Sequence, residues 1–196
     1  MSDKPRTQQR LARDLADLLD ALRSKENLFG FIEAFWKTMA REWGNIDGLR
    51  MDKYLYLVRC YVNKGFEKAA KGGWEDEEML EEYLKILVDV PFNSRDHKIP
   101  NGLRYHVIDV YLDELDKVDS DRNAPLEKIV GPLRQLVRDS PTKPVRTRAQ
   151  EALDDDRLAD WQNVGASAEE SEGGEAEAQG DEDAQGADEE FGGFED

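Results

Sequence analysis

Cysteine is almost missing: the single thiol, Cys60, in 196 residues cannot close an intramolecular disulfide and suits a reducing compartment. Histidine is scarce as well. Neither His97 nor His106 has a Cys or His at metal-ligand spacing, which argues against a zinc site. Charged residues follow Met1 and no apolar run is long enough for a signal peptide or a membrane span, so a soluble intracellular chain with no membrane contact is expected. Phosphate-binding glycine loops and nucleophile elbows are also missing, since Gly72-Gly73 lacks the Lys-Ser or Lys-Thr that would follow. Asp119, Asp121 and Asn123 open like a calcium loop, but Ala124 stands at the glycine position and Val130 at that of the closing glutamate. Adjacent carboxylates such as Asp113 and Glu114 diverge on a helix and cannot face one substrate. The expectation is a chain without catalysis, cofactor, metal or small-molecule substrate.

Charge is what the chain has in abundance. The formal net is -17, yet residues 165–196 hold 13 acids and no base, leaving 31 acids against 27 bases before them. The body is therefore nearly balanced, and its acidity does not exclude nucleic acid. Two units follow: a helical domain over 1–162 and an acidic segment over 163–196. The second has too little apolar side chain to offset its ordering entropy and is expected to be disordered.

Helical periodicity recurs through the body and strand alternation is nearly absent. Leu11, Leu15, Leu18, Leu19 and Leu22 make one stripe, with Pro5 placed to open the helix. Ile32, Phe35, Trp36, Met39 and Trp43 make a second, and Tyr54, Leu57, Val58, Tyr61 and Val62 a third. Between them Gly44-Asn45-Ile46-Asp47 supplies a stop and an N-cap, predicting a helical hairpin. Further helices are predicted around Met79 to Val88, stopped by Pro91, and around Leu103 to Val118, capped by Asn101. Leu126 to Val137 is interrupted by Gly131-Pro132, which should kink or split it, and a mostly polar helix runs from about Pro144 to Trp161. About seven helices on short loops predict an all-α fold, an irregular HEAT- or armadillo-like helical-repeat solenoid followed by the acidic tail.

The strings FWKTMAREWGNIDGLRMDKYLYLVR (35–59), SDKPRTQQRLA (2–12) and IPNGLRYHVIDVYLDEL (99–115) resemble the ribosomal RNA-processing protein 1 family. The likeness covers roughly the first two thirds of the chain, and an acidic C-terminal tail is frequent in fungal members. Members usually carry a further helical segment upstream, so an apolar face without that cover is expected here. The resemblance implies a noncatalytic scaffold of large-ribosomal-subunit assembly in the nucleus and nucleolus, working beside other assembly factors and, as a further option, pre-ribosomal RNA. The rival reading is a general protein-binding adaptor or acidic-tail chaperone for basic clients, without RNA contact.

Cations in rows are the candidate contacts, because charges at helical spacing can follow successive phosphates. Arg6, Arg10 and Arg13 form one row, Lys64, Lys68 and Lys71 another, and Lys37 with Arg41 a shorter pair. The residues alone favour a solvated face with local pairs such as Glu33 to Lys37 and Glu67 to Lys71, and the resemblance adds weight only to the arginine row. Trp74, in a Gly-Gly-Trp-Glu-Asp turn, either covers a helix end as a hydrophobic staple or protrudes towards a partner. In the tail, Phe191 and Phe194 have the spacing of a short linear motif, and Ser167 and Ser171 lie among glutamates as phosphorylation candidates.

Overall fold

Local caps fix most helix limits. Pro5 occupies the first turn of α1 (Pro5–Ala21), where its missing N–H costs nothing. Ser24 accepts the Asn27 amide at 3.5 Å and opens α2 (Lys25–Glu42), which ends in a short 3-10 turn, Trp43–Asn45. Asp76 caps α4 (Glu77–Asp89) by accepting the Met79 amide at 3.1 Å. The computed structural model describes residues 4–163, and these are helical with no strand among them. The remaining elements are α3 (Met51–Ala70), α5 (Asn101–Val118), α6 (Leu126–Asp139) and α7 (Lys143–Leu153), with a last helical stretch over 157–163.

The helices stack in two layers. α1, α3, α5 and α7 pack successively in one, α2, α4 and α6 in the other, and α3 with α4 and α6 with α7 join them. Within each layer the axes run the same way, as paired residues advance together: Tyr56 with Arg13 and Lys68 with Asp20, then Leu55 with His106 and Arg59 with Asp113. That arrangement is a helical-repeat solenoid, each hairpin burying its stripe on the next. One continuous core holds Trp36, Phe66, Tyr83 and Tyr111, all fully buried. Each such ring contributes roughly 1.5–3 kcal/mol through burial. The phenols are satisfied too: Tyr83 donates to the Val62 carbonyl at 3.2 Å and Tyr111 to the Ile129 carbonyl at 2.9 Å. Gly65 lets α3 approach α4, because a Cβ there would overlap the Tyr83 ring.

Several boundaries differ from expectation. α1 buries Ala12, Ala16 and Leu19, whereas Leu11, Leu15 and Leu18 are 55%, 36% and 48% exposed, because small residues give the closest approach to α3. Asp47 caps a turn ahead of α3 by accepting the Arg50 amide at 3.1 Å, and the helix starts four residues later at Met51. Asn101 is the first residue of α5 rather than its cap, its amide oxygen being taken by Arg104 Nη1 at 2.7 Å. Pro132 does not split α6: it forfeits one backbone bond, while Ile129, Val130, Leu133 and Leu136 hold both turns in the core. The last predicted helix breaks over 154–156, where Asp155 accepts the Arg157 amide at 2.9 Å and starts a new turn. The acidic segment lies outside the described residues.

Candidate interaction surface

α1 is fastened to α3 by charge as well as by its alanines. Lys64 reaches Asp17 at 2.9 Å, Asp20 at 3.1 Å and Glu67 at 2.7 Å, and Lys68 reaches Asp20 at 2.7 Å. Their side chains are only 12% and 16% exposed, so these two members of the predicted row face α1 more than solvent. Burial alone would lower the Lys64 ammonium, but its hydrogen bonds to Glu67, Asp17 and Asp20 outweigh that and hold it above the ordinary lysine value. Asp20 is correspondingly held below the usual carboxylate range, chiefly by Lys68. Lys71, third in the row, is exposed at the end of α3.

The arginine row on α1 is more open. Arg6 is exposed, Arg10 sits 3.6 Å from Asp14, and Arg13 donates to the Tyr56 hydroxyl at 3.3 Å. Arg13, Arg59, Lys64 and Lys117 border one groove of about 280 Å³ between α1, α3 and α5, together with Asp17 and Glu114. The structure thus brings Arg13 and Lys64 to one place. Lys37 and Arg41 do not join them: they lie on the solvent face of α2, paired with Glu33 and Glu42 at 2.7 Å each. Phe191 and Phe194 lie outside the described residues.

Trp74 is buried, and its backbone takes the left-handed region at φ 70° directly after Gly72 and Gly73 at φ 87° and 80°. What holds it is Asp119, a group read from sequence only as a failed calcium ligand. The Asp119 carboxylate, itself buried, accepts the indole N–H of Trp74 at 3.1 Å and that of Trp161 at 2.6 Å. It also accepts the amides of Asn123 at 3.2 Å and Ala124 at 2.9 Å, and Arg122 stacks 3.9 Å above the Trp161 ring. Two other buried charges escaped the sequence reading. Glu114 pairs with Arg59 and, at 2.7 Å, with Lys117. Arg104 donates to the carbonyls of Ile99 and Asp96 at 2.7 Å each and to that of Asn93, clamping the whole 93–100 loop to α5. The available signal was that the apolar positions of α5 fall on several sides of the helix, so that a charged residue among them needs a partner.

Every buried ionisable group named above joins one helix to another or pins a loop, so the chemistry visible here is that of holding. The sequence profile described as "Nucleolar protein, Nop52" matches residues 1–193. The chain belongs to the Nop52 family. Human ribosomal RNA processing protein 1 homolog B is 40% identical over 121 residues, covering 60% of this chain and 15% of that protein. The human homolog A is 38% identical over 121 residues, covering 62% and 26%. The Caenorhabditis elegans homolog is 34% identical over 116 residues, covering 59% and 29%. The chain therefore spans less than a third of the length of these relatives. As a Nop52 member it is a protein of the nucleus and nucleolus, with relatives that are named for ribosomal RNA processing.

Proposed function

We propose that this chain is a noncatalytic scaffold in biogenesis of the large ribosomal subunit, supporting maturation of ribosomal RNA by positioning neighbouring assembly factors and precursor RNA. The Nop52 match over 1–193 carries the reading, and a rigid two-layer solenoid whose buried charges serve its own joints is the physical support. Binding free energy from its surface favours one arrangement of the precursor, and no bond is made or broken by the chain. A tagged copy, expressed in cells and sedimented with both proteins and RNA read out, is expected to travel with large-subunit precursors, and its depletion to accumulate unprocessed precursor RNA. Sedimentation free of those particles, or RNA cleavage by the purified chain that a point substitution abolishes, would overturn the reading.

A further inference from the structure

Charge is segregated along the helix axes. At the end where α4 and α6 begin lie Asp76, Glu77, Glu78, Glu81 and Glu127, with Lys25 and Lys128 bridging among the first four and Arg134 reaching Glu127. At the opposite end α4 and α6 finish while α5 and α7 start, and there the balance reverses. Arg95 and Lys98 are exposed on the loop after α4, Arg138 closes α6, and Lys143 and Arg146 open α7. The acids among them are Asp89, Asp96 and Asp139. Asp139 pairs with Arg138 at 2.8 Å, and because α4 packs on α6 and α5 on α7 the loop after α4 and the turn after α6 lie at the same end of the stack. Arg146 folds back onto the Ser140 carbonyl at 2.7 Å, beside the same aspartate. Lys98 and Lys143 form no ion pair among the described residues.

The corner is also stiff. Arg104 ties the carbonyls of Asn93, Asp96 and Ile99 to α5, and Asn93 Oδ1 accepts the amides of Arg95 and Asp96 at 3.2 and 3.1 Å. Arg95 and Lys98 are thus presented from a fixed backbone, so little loop ordering opposes binding. α5 begins here without a side-chain cap, and its first N–H groups add partial positive charge.

We propose that this corner, built from the 93–100 loop and the α6–α7 turn, is a binding site for the phosphates of an RNA backbone. Cations held several residues apart on two rigid supports match a repeating polyanion better than a single small anion. The choice of RNA rests on the scaffold reading; the existence of the corner does not. The test uses the full chain and a fluorescently labelled RNA hairpin, followed by anisotropy across a salt series. Reversing Arg95, Lys98 and Lys143 to Glu is expected to weaken binding at least roughly tenfold near ~0.1 M salt and to flatten the slope of log affinity against log salt by about 2. The matched reversal of Arg6, Arg10 and Arg13 is expected to change affinity less. Lys98→Gln with Lys143→Gln, at side chains without ion pairs, carries the test should the triple reversal not fold, with a smaller loss of the same sign. Unchanged affinity in either set overturns the corner, and so does tighter binding of poly-glutamate than of the hairpin. Neither result touches the scaffold reading, which is decided by sedimentation with precursor particles.

Discussion

Asp119 shows how one side chain can fix two loops and the last helical stretch against one another. Removing its carboxylate leaves two buried indole N–H groups and two backbone amides without acceptors, each costing about 1–3 kcal/mol. Asp119→Ala is therefore expected to destabilise the chain by at least about 3 kcal/mol in urea unfolding, and Asp119→Asn, which keeps one acceptor oxygen, by less. His106 yields a pH dependence. Its Nε2 donates to the Leu55 carbonyl at 2.8 Å, and burial lowers its proton affinity below that of a free histidine. A depressed folded value means stability that is present above about pH 6.5 and lost as pH falls through it, because the unfolded chain takes up the proton first. The drop in urea midpoint between about pH 7.5 and 5.5 is expected to shrink in His106→Gln, and an equal drop in both proteins would remove the assignment. Residue types alone did not reveal either role. An aspartate in a polar loop reads as solvated until the fold brings Trp74 and Trp161 to it from 45 and 42 positions away.

At the scale of elements, α1 keeps one side open. It meets the body through two buried alanines, one leucine, the Lys64 and Lys68 bridges and hydrogen bonds to Tyr56 and Tyr61, and turns three leucines outward. Lys64→Gln is expected to raise amide hydrogen exchange across 5–21 while leaving α4 to α6 unchanged; equal protection in both proteins would show that apolar contact alone seats the helix. Helix existence was largely legible, since a stripe at steps of three and four marked each of α2 through α6, although α2 starts seven residues before its stripe and α3 runs eight past its own. Helix facing was less so. The leucines of α1 outrank its alanines in hydropathy, but packing distance to α3 selects the smaller residues, and no pattern within one helix encodes its neighbour's surface. The bridges of Lys64 and Lys68 to α1 were hidden for the same reason, as their acids lie 44 to 48 positions away and only the parallel stacking of α1 on α3 aligns them.

For the whole molecule, the described helices share a single core, and all four tryptophans are buried in it, from Trp36 on α2 and Trp43 in the turn after it to Trp161 near the end of the described residues. Unfolding of the helical body is expected as one cooperative transition, with circular dichroism and tryptophan emission coincident in urea; separated midpoints would mean that the stacked hairpins melt individually. The layering has an electrical consequence. Because the axes run alike within each layer, the described helices gather bases towards one edge and acids towards the other, and this helical body is electrically lopsided along its length. In the field of a large polyanion such a body feels a torque before it feels a contact, and it arrives already turned edge-on, with most wrong approaches filtered out during diffusion.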